Sequence, residues 1–113
     1  MKRIFSILAI ALTLFVSLTF SQPAFAEVSA GAKIFNNNCA SCHAGGKNSV
    51  VAAKNLQAAA LAKYGKDTVE AITLQVAKGK GAMPAFSKKL NPEQINLVTN
   101  YVLEQAQNGW AKV

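Results

Sequence analysis

Cys39-Ala40-Ser41-Cys42-His43 sets two thiols two residues apart, with an imidazole immediately after the second. This is the C-x-x-C-H pattern of c-type haem attachment. Thiols at that spacing on a helix end can add to the two vinyl groups of one porphyrin, and the next side chain then points at the iron. A redox dithiol of the thioredoxin kind expects alternating strands and helices, and no alternating strand pattern is present. A structural zinc site wants four protein ligands, and beyond the leader this chain offers two cysteines and one histidine. A Cys39–Cys42 disulfide closes so small a loop that it removes little entropy from the unfolded chain. An exported disulfide protein without haem remains the colourless alternative.

Upstream of the motif the chain reads as an export signal. Lys2 and Arg3 form a basic start, Ile4 to Phe20 is almost wholly apolar, and Ala24-Phe25-Ala26 supplies a small-residue cleavage site. We therefore expect a cleaved signal peptide over residues 1–26 and one domain over residues 27–113. The competing reading is an uncleaved anchor, because the apolar run approaches the roughly 17 residues that can span a bilayer. A domain of this size is marginal as a purely protein core, and a buried organic cofactor would replace missing apolar core.

Of the chain's twelve basic residues, all but Lys2 and Arg3 fall in that domain, as do all five acids, for a net charge of +5. The lysines are scattered with no basic run, so nucleic acid is an unsuited partner; an acidic or membrane-embedded protein partner suits the charge. No repeat or low-complexity tract interrupts the domain.

The pattern is all-α. A first helix is expected from about Ser29 to Ala40, with Gly31 on the face of Phe35 so that another helix can approach closely. A loop follows over 43–55, then a short helix over Leu56–Lys63 stopped by Gly65. Asp67 is expected to cap the next helix, paired with Glu70 in a capping box, and that helix should end near Gly79. The last helix has the strongest start signal, Asn91 as cap, Pro92 at the first position and Gln94 completing the box. Ile95, Val98 and Val102, joined by Leu97 and Tyr101, give it an apolar face that should pack on the first helix across Gly31.

The second axial ligand follows by elimination. His43 is the only histidine, which excludes paired histidines within one chain, and Met83 is the only methionine beyond Met1. Pro84 keeps Met83 out of helical backbone, so Gly81-Ala82-Met83-Pro84 should be an extended loop able to hold a thioether against a haem face. Lysine ligation and an open sixth position are the competing readings. Histidine with methionine raises the potential and fills both axial positions, which suits an electron carrier and not an enzyme. A ligand sensor or enzyme in which Met83 is displaced would instead bind carbon monoxide or cyanide rapidly.

Beyond these residues the chain resembles the small soluble c-type cytochromes, and within them the cytochrome c6 family of cyanobacteria and algae. The resemblance rests on Gly31-Ala32-Lys33-Ile34-Phe35, Cys42-His43-Ala44-Gly45-Gly46-Lys47-Asn48, Leu74-Gln75-Val76 and Gly79-Lys80-Gly81-Ala82-Met83-Pro84-Ala85-Phe86. It implies a cytochrome c fold of about four helices around one covalent haem c, with Cys39 and Cys42 as attachment points, His43 and Met83 as axial ligands, and Gln75 near the haem tuning it. It also implies a monomeric lumenal or periplasmic shuttle, without stable membrane insertion, from the cytochrome b6-f complex to photosystem I. A respiratory terminal oxidase is the alternative client. The family commonly carries an arginine where Lys89 stands, and lysine keeps the charge without the planar fork.

Overall fold

In the computed structural model, which describes residues 23–111, four principal helices and one short helical turn wrap an open cleft. The basic start and apolar run of the expected leader, residues 2–20, lie outside the described residues. Helix α1 spans Pro23–Asn38, α2 is the single turn Ala40–His43, α3 is Ala58–Lys63, α4 is Val69–Lys78 and α5 is Pro92–Gln107; a short 3-10 turn, Ala44–Gly46, follows α2. Among the described residues the only pairing of β type is an isolated bridge between Lys80 and Met83. No helix of the described residues is long and apolar enough to cross a membrane.

The start of α1 lies six residues before the expected Ser29. Pro23 is pre-organised for a first helical turn, since its fixed φ suits the helix and its missing N–H would have no partner there. The helix therefore runs through the Ala26–Glu27 junction proposed for cleavage. Its far end is also different: the chain kinks at Cys39, whose N–H still bonds Phe35 O at 2.8 Å, before α2 carries Cys42 and His43 onward.

For α4 the cap is Thr68, not Asp67. Thr68 is extended and its Oγ1 accepts from Ala71 N at 3.2 Å, while Glu70 sits in the first turn without closing a box. One residue of offset decides this, because the oxygen that caps must sit on the last extended residue, and Asp67 lies one position too early. Glu70 still favours the positive end of the helix dipole. The expected stop holds, with Gly79 at φ 65. The capping box of α5 is complete: Asn91 Oδ1 accepts from Gln94 N at 2.8 Å and Gln94 Oε1 accepts from Asn91 N at 2.9 Å.

Helices α1 and α5 cross at Gly31, as expected. A Cβ at that position would lie 2.6 Å from Leu97 O and 2.7 Å from Tyr101 Cβ. Phe35 then packs against Tyr101 and Trp110, with ring centroids 5.4 and 5.2 Å away. The core continues through Leu61, Ile72, Val76, Phe86, Leu90, Ile95, Val98 and Val102. Thr99 is fully buried among them, its Oγ1 3.4 Å from Thr73 Oγ1 across the α4–α5 contact. Because Leu97 O is main chain and cannot rotate away, Gly31→Val should cost about 3 kcal/mol through overpacking. Thermal unfolding of the haem-loaded protein checks this, and an unchanged midpoint would mean the helices can separate freely at Gly31.

Candidate haem-binding site

The kink at Cys39 and the single turn of α2 put Cys39, Ser41, Cys42 and His43 on one cleft of about 560 Å³, which falls within the range of small-molecule and cofactor sites. Cys42 N and His43 N both bond back to Cys39 O, at 3.2 and 2.9 Å, so the three motif residues share one compact turn. His43 Nδ1 lies 2.9 Å from Lys47 O. A carbonyl can only accept, so Nδ1 carries the proton and Nε2 is left with its lone pair for another partner.

Downstream of His43 the segment to Gln57 has little regular structure and is held by side-chain amides. Asn48 Oδ1 accepts from Val50 N and Val51 N at 2.9 Å each, and its Nδ2 donates to Lys54 O at 2.8 Å. Asn55 Oδ1 accepts from Gln57 N at 2.9 Å. The asparagines replace the missing main-chain partners of an irregular loop, which is why a stretch without periodicity can still hold a fixed shape. It presents Val50 and Val51 at the cleft, 61% and 44% exposed. Two adjacent valines in water are unfavourable unless a large apolar group covers them.

Met83 reaches the same cleft from a different part of the chain. The turn Lys80-Gly81-Ala82-Met83 is closed by Lys80 N to Met83 O and Met83 N to Lys80 O, both 3.0 Å, with Gly81 at φ 58. Gly79 must be glycine for two reasons: its φ is 65, and a Cβ there would lie 2.5 Å from Met83 O and 2.6 Å from Pro84 C. The loop is anchored further by Phe86 N to Val76 O at 2.9 Å. Gln75, on α4, donates from Nε2 to Met83 Sδ at 3.6 Å. Gln75 therefore stands inside the cleft and not on an outward helix face.

The remaining walls are apolar: Phe35, Leu61, Ile72, Val76, Phe86, Val98 and Val102 all line the cleft. Lys54, Lys66 and Lys80 line it as well, and no carboxylate does, which suits a group that is apolar over most of its surface and carries anionic edges. Lys54 Nζ and Lys63 Nζ each lie 5.6 Å from the Tyr64 ring centre, holding positive charge beside that phenol. Two thiols, an imidazole with a free Nε2, a thioether and an apolar wall form a donor set that fits haem. Burial pushes the Cys39 thiol up to about 11, with Lys89 pulling the other way. A redox dithiol needs the reverse, a thiol lowered toward the thiolate.

The five residues singled out in the sequence thus line one cleft. Asn48, Val50 and Val51 at its mouth had no expected part in the site: Asn48 counted only toward the loop and the family resemblance, although an asparagine beside glycines in a loop is a signal for a side-chain-closed turn. Nor had Trp110, which packs on Gly46 behind the His43 loop.

A family model described as cytochrome c oxidase, cbb3-type, subunit III matches residues 26–102. Cytochrome c6 of a Nostoc species is 55% identical over 111 residues, covering 97% of this chain and 99% of the relative. Cytochrome c6 of Microcystis aeruginosa is 64% identical over 80 residues, 71% of this chain and 99% of the relative. The crystal structure of cytochrome c6 from the diatom Phaeodactylum tricornutum superposes with a TM-score of 0.72 at 49% identity, covering 74% of this chain and 98% of that one.

Proposed function

The chain belongs to the cytochrome c6 family, and from that premise we propose that Cys39 and Cys42 attach its haem, that His43 and Met83 ligate the iron, and that it shuttles single electrons from the cytochrome b6-f complex to photosystem I. Membership carries one covalently bound c-type haem and the role of electron carrier. The observation supporting the residue assignments is that the only histidine, the only methionine of residues 27–113 and both cysteines line one apolar cleft.

When bound, the haem supplies a one-electron iron couple. The chain's own residues set how that couple behaves. Lys47 O accepts a hydrogen bond from His43 Nδ1–H and so fixes the ring and raises the donor strength of Nε2. Met83 would offer the iron a soft, neutral sulfur, a ligand that favours the reduced state. His43 and Met83 would between them leave no position on the iron for small molecules, which is why the reading is a carrier and not an enzyme or ligand sensor. The scattered lysines steer encounter with acidic surfaces on the partners. Removal of residues 1–26 on export would deliver a monomeric domain to the thylakoid lumen or periplasm.

The visible spectrum of the matured protein tests the site. Sharp reduced bands of a c-type haem, with the weak far-red band of methionine sulfur on ferric iron, are expected; haem without the far-red band would remove Met83 from the ligand set. Flash-induced oxidation in the presence of photosystem I tests the client, and electron transfer to an oxidase alone would replace it.

Gln75 tunes this couple. Its N–H draws electron density from Met83 Sδ and weakens the sulfur as a donor to ferric iron, so it raises the potential. Gln75→Val should lower the potential by roughly 20 to 65 mV, the equivalent of one hydrogen bond of about 0.5–1.5 kcal/mol for a one-electron couple. Redox titration checks this, and an upward shift would mean that Gln75 acts on something other than the sulfur.

A further inference from the structure

We propose that Trp110 is a positioning residue for the axial histidine, acting through the loop that supplies the acceptor for its Nδ1 proton; the inference rests on the assignment of His43 as an iron ligand. Trp110 lies just past α5 and far from the cleft in sequence. Its backbone has φ 57, and it is the only non-glycine with positive φ among the described residues. A bulky side chain disfavours the left-handed conformation, so its surroundings must over-determine it.

Those surroundings converge on the His43 loop. Gly109, at φ 65, turns the chain back, and Trp110 N bonds Gln105 O at 2.8 Å. The indole Nε1–H donates to Leu56 O at 2.9 Å, and Leu56 N in turn donates to Gly46 O at 2.8 Å. The indole face covers Gly46 so closely that a Cβ there would lie 2.5 Å from three of its atoms. Gly46 is bonded directly to Lys47, whose carbonyl holds His43 Nδ1 at 2.9 Å. On its other side the indole packs on Phe35, 5.2 Å between ring centres, and Phe35 O holds Cys39 N at 2.8 Å. One side chain thus presses on both ends of the attachment segment: the start at Cys39 through Phe35, and the acceptor of the His43 proton through Gly46. A residue that only filled space behind α1 and α5 would need neither the left-handed backbone nor the hydrogen bond to the loop.

The test measures hydrogen exchange by NMR in the reduced, haem-loaded protein at three places: His43 Nδ1–H, Leu56 N–H, and the N–H of Val98 as a buried reference in α5. In Trp110→Ala, exchange at His43 Nδ1–H and Leu56 N–H is expected to rise about tenfold more than at Val98. Trp110→Phe keeps a ring on Gly46 and loses the N–H, and should give a selective rise of about threefold; it decides the matter if the alanine variant does not mature. Equal acceleration at all three sites, or none, overturns the proposal and reduces Trp110 to packing. The wild-type spectrum keeps the two levels apart. A wild type with His/Met bands and non-selective exchange in the variants refutes only the positioning role, whereas a wild type without haem refutes the ligand assignment beneath it and the positioning role with it.

Discussion

Met83→Ala in the matured protein is expected to abolish the far-red sulfur band, to lower the reduction potential by on the order of a tenth of a volt or more within the roughly 0.8 V that axial ligands span, and to open the iron to carbon monoxide and cyanide. The direction follows from the ligand. A neutral thioether is a weak donor to ferric iron and a good partner for ferrous iron, so its loss favours oxidation. Water, which would take the vacated position, is a harder ligand and shifts the balance the same way. No second methionine or histidine of residues 27–113 can substitute. The variant should also fold, because main-chain groups hold this loop: Lys80 and Met83 exchange both of their hydrogen bonds, and Phe86 N is tied to Val76 O. The change is therefore confined to the sulfur and to Gln75, whose Nε2 loses its acceptor. An unchanged potential together with continued resistance to carbon monoxide would mean that Met83 never ligated the iron.

What could be read in advance was whatever depends on neighbours along the chain. Asn91, Pro92 and Gln94 lie within four residues, and their capping box formed as expected. Gly31 was legible because a glycine on the apolar face of a helix has one common use, close approach, and Leu97 and Tyr101 take it. The cleft's donors were legible because scarcity fixed them: one histidine and two cysteines, with one methionine beyond the leader. The misreadings arose where geometry turns on one residue or on distant contacts. Whether Asp67 or Thr68 caps α4 depends on which of them is last to be extended, and both are good capping residues. The kink at Cys39 falls inside the stretch expected as one helix, about Ser29 to Ala40. Trp110 meets Gly46 and Leu56 across more than fifty residues of chain, and nothing local to Asn108-Gly109-Trp110 says which glycine the indole will cover. Thr99 sits at a position of α5 that polarity alone would turn outward, and it is buried because Thr73 on α4 offers a hydroxyl opposite it.

The larger effect is expected at the attachment points themselves. In Cys39→Ala/Cys42→Ala no haem should remain on the polypeptide after denaturing electrophoresis, and the chain should lose its cooperative unfolding transition and most of its helical circular dichroism. The reason is the shape of the core. Phe35, Leu61, Ile72, Val76, Phe86, Val98 and Val102 belong both to the buried core and to the wall of the cleft, so the cofactor occupies the space on which the helices converge. With the cleft empty, those side chains lose the apolar group that would fill the space between them, and a domain of this size has little other core to compensate. The short α3, α4 and the Val50–Val51 loop can then come apart, which the largely exposed 43–57 segment makes easy. The single variant Cys42→Ala separates attachment from filling: with Cys39 still able to form one thioether, haem should stay on the chain and cooperative unfolding should survive. If the double variant without haem unfolded with the same midpoint and steepness as the native protein, the helices would hold themselves together, and the cleft would be a pocket in a finished domain and not the centre of its core.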